Sequence, residues 1–246
     1  MSKAAFFDLD NTLVHRNKSI AAYSRKFFDD YSEILSEVGA EEIANVIYSQ
    51  DSGGYLAINS PYKTIKDAVS HELHKLVLRS SGVTVDDFRD HWINIFPKSA
   101  VPMPGANDLL SYLSGQGYHV GIISNGADKS RKSTARMLES FCYIKQLVSS
   151  ESAGVSKPSI EIFTKSALDA GFTPDQCWFI GDHPINDIDG ARKAGMQTIW
   201  LKGFHGWPES LQMPHHSIEA LAEVKSVLAS NSNNQSQGDP KNARLL

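Results

Sequence analysis

The sequence predicts an α/β fold: a parallel sheet covered by helices, with a helical block inserted after the first strand. Three observations lead there. Between residues 106 and 201, short apolar runs alternate with segments of helical period, the pattern of parallel strands joined by crossover helices. Between residues 20 and 96 the apolar positions keep a helical period, and no segment reads as a strand. Pro97, Pro102 and Pro104-Gly105 punctuate the change from one pattern to the other.

The first strand is Ala4-Ala5-Phe6-Phe7, which runs into Asp8-Leu9-Asp10 and a turn at Asn11-Thr12. In the inserted block Ile20, Tyr23, Phe27, Tyr31, Ile34, Leu35 and Val38 share one helical face. Ile65, Val69, Leu73, Leu76 and Val77 share another, and Val85, Phe88, Trp92 and Phe96 a third. Residues 50–62, QDSGGYLAINSPY, are too rich in turn formers to continue a helix and read equally as a surface connection or a substrate-facing loop. Strands follow at 119–124, 146–149, 176–181 and 197–201, with helices near 106–113, 130–141, 160–170 and 188–194. A final helix is expected at 217–229. The chain thus divides into a core segment (1–15), a helical cap (16–97) hinged near 15–17 and 97–104, the remaining core (98–230), and a polar tail (231–246) expected to be disordered.

With 246 residues, 41% apolar and 9% aromatic, the chain can build an ordinary globular core as one large domain or two smaller ones. A net charge of −4 gives no basic field, so no nucleic-acid partner is expected. Only four apolar residues precede Asp8, and no later run approaches membrane-spanning length; no membrane contact and a cytoplasmic location are expected. Cys142 and Cys177 have no metal-ligand spacing and read as reduced, structural thiols.

Asp8 and Asp10 are the first chemical signal. Two carboxylates close together at the end of a buried strand repel each other unless a cation or a raised pKa relieves them. With 17 Asp in 246 residues, D-x-D arises by chance roughly once per chain, and Asp187-Ile188-Asp189 is a second instance. Position is what distinguishes the first pair, because ligands bind at the carboxyl ends of strands in open α/β sheets. Three further segments lie at or shortly after predicted strand ends: Ser124-Asn125-Gly126, Lys157-Pro158 and Gly181-Asp182-His183-Pro184-Ile185-Asn186-Asp187.

In order and residue type these four segments resemble the motifs of the haloacid dehalogenase superfamily, and the resemblance spans nearly all of residues 1–205. It implies a Rossmann-like, doubly wound parallel-sheet core with an inserted α-helical cap, and a Mg²⁺-dependent phosphatase acting on a small phosphorylated metabolite. It further implies that Asp8 is nucleophile and metal ligand, and that Asp10 serves as acid/base through its side chain and as a metal ligand through its backbone carbonyl. Ser124 and the amides of Asn125 and Gly126 would hold phosphate oxygens. Lys157 would be catalytic and substrate-binding as the neutralising cation, with Asp182 completing the metal site and Asp187 orienting it from outside the ligand set. The residue types suit the chemistry: an attacking carboxylate divides hydrolysis into two displacements once negative charge is neutralised, and Mg²⁺ takes one or two carboxylates plus phosphate oxygen.

Dehalogenases of the same superfamily lack the second Asp, so Asp10 argues for phosphorus chemistry. A phosphomutase or a non-catalytic binding member stays as the alternative, and monomer or homodimer stays open. His71 and His74 do not make H-E-x-x-H and read as a polar helix face; His215-His216 read as surface. His183 reads either as lining the site or as a turn residue before Pro184. No phosphate-binding G-x-x-x-x-G-K-[ST] occurs.

Overall fold

The computed structural model describes residues 4–35, 37–78 and 81–236. β1 (Ala4–Phe7) is buried along its whole length. The chain then leaves the sheet for the insertion: α1 (Arg16–Tyr31), α2 (Ala40–Gln50), β2 (Asp51–Ser52), β3 (Tyr55–Leu56), α3 (Ile65–His74) and α4 (Val85–Ile95). It returns with α5 (Ala106–Gly115), β4 (His119–Ser124), α6 (Asp128–Ala135), β5 (Gln146–Ser149), α7 (Ser150–Ala153) and α8 (Ile160–Asp169). The last elements are β6 (Cys177–Gly181), a π-helix over Pro184–Asp189, α9 (Gly190–Lys193), β7 (Gln197–Leu201), β8 (His216–Ile218) and α10 (Val224–Ser236).

The main sheet has six strands in the order β5-β4-β1-β6-β7-β8, all parallel. From β1 the chain builds outward to β4 and β5, then crosses back to β6 on the other side. The carboxyl end of β1 therefore lies at the topological switch point, where the flanking connections diverge and leave a crevice. Alternation along the strands serves two cores. Ala5, Phe7, Val120, Ile122, Trp178 and Ile180 pack with α5 and α10 on one face. Ala4, Phe6, Ile123, Cys177 and Phe179 pack with α8 and α9 on the other. Burial on both faces is why these strands read as continuous apolar runs. Each fully buried Phe contributes about 1.5–3 kcal/mol by removal from water.

The insertion has a core of its own, in which Tyr23 meets Trp92 edge-to-face at 4.8 Å, Phe27 meets Phe88 at 4.9 Å, and Trp92 stacks on Phe96 at 4.1 Å. The Thr84 side chain caps α4, and Asp87 returns the bond to the Thr84 backbone. Its two connections to the sheet run side by side: His15 N donates to Val101 O at 2.8 Å and Met103 N to Leu13 O at 2.8 Å.

Several expectations change. The insertion contains strands after all: β2 and β3 form a two-residue hairpin within the stretch read as turns, too short to show a period. The helix expected at 217–229 begins instead with β8, which extends the sheet past β7; α10 then continues to Ser236, beyond the expected start of the disordered tail. Residues 237–246 of that tail lie outside the described residues. The segment read as one helix over 130–141 breaks into α6 and a 3₁₀ turn at Glu139–Tyr143, and the helix at 188–194 starts earlier, as the π-helix. His215 is not a plain surface residue, since its Nδ1 accepts from Thr198 N at 3.1 Å, and His216 lies within β8. Cys177 is buried, which pushes its thiol up to about 12, but Cys142 is exposed and has no structural role in the core. His71 and His74 bond backbone carbonyls of Asp67 and Val83. No helix among the described residues is long and apolar enough to cross a membrane.

Candidate active site

β1, β4 and β6 place the site. Asp8 N donates to Ile180 O at 2.9 Å, carrying the β1 ladder one residue further and holding Asp8 at the carboxyl end of the sheet. Asn11 then turns the chain with φ of 57°, a left-handed conformation that Asn tolerates. Ser124 ends β4 and Asp182 follows β6 directly. Lys157 comes from the loop before α8, and Asn125 clamps it by both ends of one amide: Nδ2 donates to Lys157 O at 3.0 Å and Oδ1 accepts from Lys157 N at 2.9 Å. The Lys157 ammonium lies 2.6 Å from Asp8 Oδ1 and 2.6 Å from Asp187 Oδ1. Asp187 is fixed again through Oδ2, which accepts from His183 N at 3.0 Å. Gly181 makes room for it, because a Cβ there would stand 2.4 Å from Asp187 Oδ2.

These groups surround a cavity of about 50 Å³ lined by Asp8, Asp10, Ser124, Asn125, Lys157, Asp182 and Asp187 from the core and by Gly53, Gly54 and Tyr55 from the β2–β3 hairpin. The structure thus brings together every expected residue except Gly126, whose amide donates to Ser150 Oγ at 2.9 Å and which does not line the cavity. It also resolves the stretch 50–62 in part: residues 53–55 line the cavity. His183 stands behind the lining, where its Nδ1 accepts from the amides of Ile185 and Asn186 and its ring meets Tyr55 at 5.1 Å.

Carboxylate oxygens of Asp8, Asp182 and Asp187 lie within 4.8 Å of one another, all buried. Burial, reinforced by the neighbouring Asp187, holds Asp8 up at about 6 against the pull of Lys157. Burial, then the charges of Asp187 and Asp8, push Asp182 well above the ordinary carboxylate range. Three acids facing one lysine leave uncompensated negative charge; Asp187 is already engaged by Lys157 and the His183 amide, and the hard oxygens of Asp8 and Asp182 suit a small divalent cation.

Asp10 is different. Burial alone would raise it, but Arg131 (Nη1 at 2.5 Å) and Arg16 (Nη1 at 3.0 Å) outweigh burial and hold it down at about 2. Arg16 also grips Asp51 of the hairpin, Nε to Oδ1 at 2.9 Å and Nη2 to Oδ2 at 2.5 Å, so one guanidinium joins Asp10 to the insertion. Sequence reasoning missed Arg16, Arg131 and Asp51, together with Thr12 and His205 beside Asp182. On a linear reading an arginine in a helix is indistinguishable from a solvated one.

A doubly wound sheet that ends on clustered buried carboxylates and one lysine, under a helical insertion, defines the class: a carboxylate-centred α/β hydrolase. The chain belongs to the haloacid dehalogenase-like hydrolase family, which it matches over residues 5–201. It is 28% identical to the pyrimidine 5'-nucleotidase YjjG of Escherichia coli, over 91% of this chain and 96% of that one. It is 28% identical to the glyceraldehyde 3-phosphate phosphatase of Pyrococcus furiosus (92% and 91%) and 24% identical to the (S)-2-haloacid dehalogenase of Pseudomonas fluorescens (92% and 96%). Among solved structures, the HAD-hydrolase YfnB of Bacillus subtilis bound to magnesium matches the fold with a TM-score of 0.70 at 21% identity, covering 92% of this chain and 98% of that one.

Proposed function

We propose that the protein is a Mg²⁺-dependent phosphatase that hydrolyses a phosphate monoester of a small metabolite through an aspartyl phosphate on Asp8. The observation that carries this reading is Asp10, a second carboxylate lining the same cavity as Asp8 and Lys157. A dehalogenase attacking carbon has no use for it. The nucleotidase and phosphatase relatives support the same choice.

Asp8 attacks phosphorus with Oδ2 while Lys157 holds Oδ1 and offsets the charge that builds on the phosphoryl oxygens. Asp187 holds that ammonium, and Asn125 fixes the Lys157 backbone behind it. Ser124 Oγ and the backbone amide of Asn125, residues lining the same cavity, would hold oxygens of the transferred group. Asp8, Asp182 and the Asp10 carbonyl would hold Mg²⁺, which neutralises a phosphate oxygen and screens the carboxylates from each other. Asp10, held ionised by its arginines, is set to take a proton from the water that cleaves the acyl phosphate. Protonating the leaving oxygen in the first step requires Asp10 to carry a proton against the pull of both Arg131 and Arg16.

The test compares inorganic phosphate release from p-nitrophenyl phosphate plus Mg²⁺ with halide release from 2-chloropropionate. Phosphate release that EDTA abolishes supports the proposal. Chloride release without phosphatase activity would overturn it in favour of a dehalogenase.

A further inference from the structure

His205, in the loop after β7, belongs to none of the four motifs. Its Nε2 is buried and makes no hydrogen bond, yet it lies 3.4 Å from Asp182 Oδ2. The imidazole, about a quarter exposed, packs against the hairpin and the segment after β6. Its ring centroid lies 4.5 Å from that of His183 and 6.2 Å from that of Tyr55, and a Cβ on Gly53 would stand 3.6 Å from its Cε1 and Nε2. Gly53 has φ of +67°, a left-handed conformation that glycine adopts without strain, and there the hairpin turns against the ring.

The other contacts of Asp182 explain what His205 adds. Thr12 Oγ1 approaches Asp182 Oδ1 at 3.5 Å, and Trp200 Nε1 donates to the Asp182 backbone carbonyl at 2.8 Å. These fix the backbone and one oxygen, while His205 is the group facing Oδ2. A buried donor left unpaired costs about 1–3 kcal/mol, so a small rotation that turns Nε2–H onto Asp182 Oδ2, 3.4 Å away, is favoured. Carboxylates that ligate cations are commonly held this way by a neighbouring donor.

Given the cation proposed above, we infer that His205 is a positioning residue: its Nε2–H holds Asp182 Oδ2, fixes the rotamer of the carboxylate and raises the affinity of the site for a divalent ion. His205 touches neither substrate nor phosphorus.

Mg²⁺ binding is titrated calorimetrically into the wild type, His205→Ala and His205→Gln, with melting curves in EDTA as a fold control. The Ala variant should bind about 10–100-fold more weakly while melting with the wild type in EDTA. Gln, which keeps an N–H, should restore most of the affinity, and saturating Mg²⁺ should return kcat of the Ala variant to the wild-type value. Unchanged Mg²⁺ affinity in the Ala variant overturns the inference, leaving His205 as seam packing. So does weakened binding accompanied by a matching loss of stability in EDTA without rescue by Gln. A wild type that hydrolyses phosphate but takes up no Mg²⁺ instead removes the cation itself, and the positioning role with it.

Discussion

Asn186 Nδ2 donates to the Tyr55 hydroxyl at 2.6 Å, joining the loop after β6 to the hairpin of the insertion across the top of the cavity. Tyr55 is also a lining residue, and burial raises its phenol above the ordinary range, so it stays a neutral donor throughout the working pH range. In the proposed phosphatase it would meet whatever is attached to the phosphoryl group.

Tyr55→Ala should therefore change kcat/KM among natural phosphates far more than it changes p-nitrophenyl phosphate hydrolysis. Tyr55→Phe, which loses only the hydrogen bond, should cost about 0.5–1.5 kcal/mol, up to roughly tenfold in kcat/KM. Steady-state kinetics on a panel of phosphorylated metabolites provides the comparison. Equal losses on every substrate would make Tyr55 a structural latch.

Arg131 sets the behaviour of Asp10. Burial acting alone pushes this carboxyl up, and Arg131 is the larger of the two cations that bring it to about 2. Arg131→Gln should raise it, so the acid limb of the kcat profile should move to higher pH. The same depression makes Asp10 a source of stability above its unfolded pKa, near 4, that is lost as pH falls towards 2. An unmoved acid limb in Arg131→Gln would remove Asp10 as the base.

Asp8 contributes with the opposite sign. Its folded value of about 6 lies above the unfolded one, so the metal-free fold binds an extra proton between pH 4 and 6 and should be less stable at pH 7.5 than at pH 5.5. Mg²⁺ binds the ionised form and should raise Tm more at pH 7.5 than at pH 5.5. Melting curves in EDTA and in Mg²⁺ at the two pH values check this; an equal Mg²⁺ effect at both would contradict it.

Gly181→Ala should disable the site from beneath. The new methyl overlaps Asp187, which Lys157 and the His183 amide both hold, so Asp187 must move and take the Lys157 ammonium with it. A loss of about 1–3 kcal/mol in denaturant stability together with a collapse in kcat is expected. Wild-type kcat in this variant would show that the Asp187–Lys157 contact is dispensable.

The parts of the site that were legible in the sequence are those whose meaning lies in a local junction. Asp8 follows an apolar run, Ser124 and Asp182 end two more, and strand ends of a parallel sheet face one crevice. Arg131 was not legible because its partner Asp10 is 121 residues away and its own neighbours, Ser130 and Lys132, read as an exposed helix. His205 sits in a loop without period, and only the sheet order brings it to Asp182. β8, with the sequence His-Ser-Ile, is too short and too polar to read as a strand, and its place is set by pairing with β7. The β2–β3 hairpin was hidden for the same reason: two residues per strand carry no alternation, and the Arg16–Asp51 pair that anchors it joins residues 35 apart.

The most direct test of Asp8 as nucleophile is the intact mass of Asp10→Asn protein quenched during turnover of p-nitrophenyl phosphate with Mg²⁺. That leaving group needs little protonation, so Asp8 can still be phosphorylated, while the base that activates water is gone. One added phosphoryl group is expected on Asp10→Asn and none on Asp8→Asn. If no phosphoryl group is trapped on Asp10→Asn or on the wild type while phosphate is still released, hydrolysis proceeds by direct attack of water, and the covalent account is wrong.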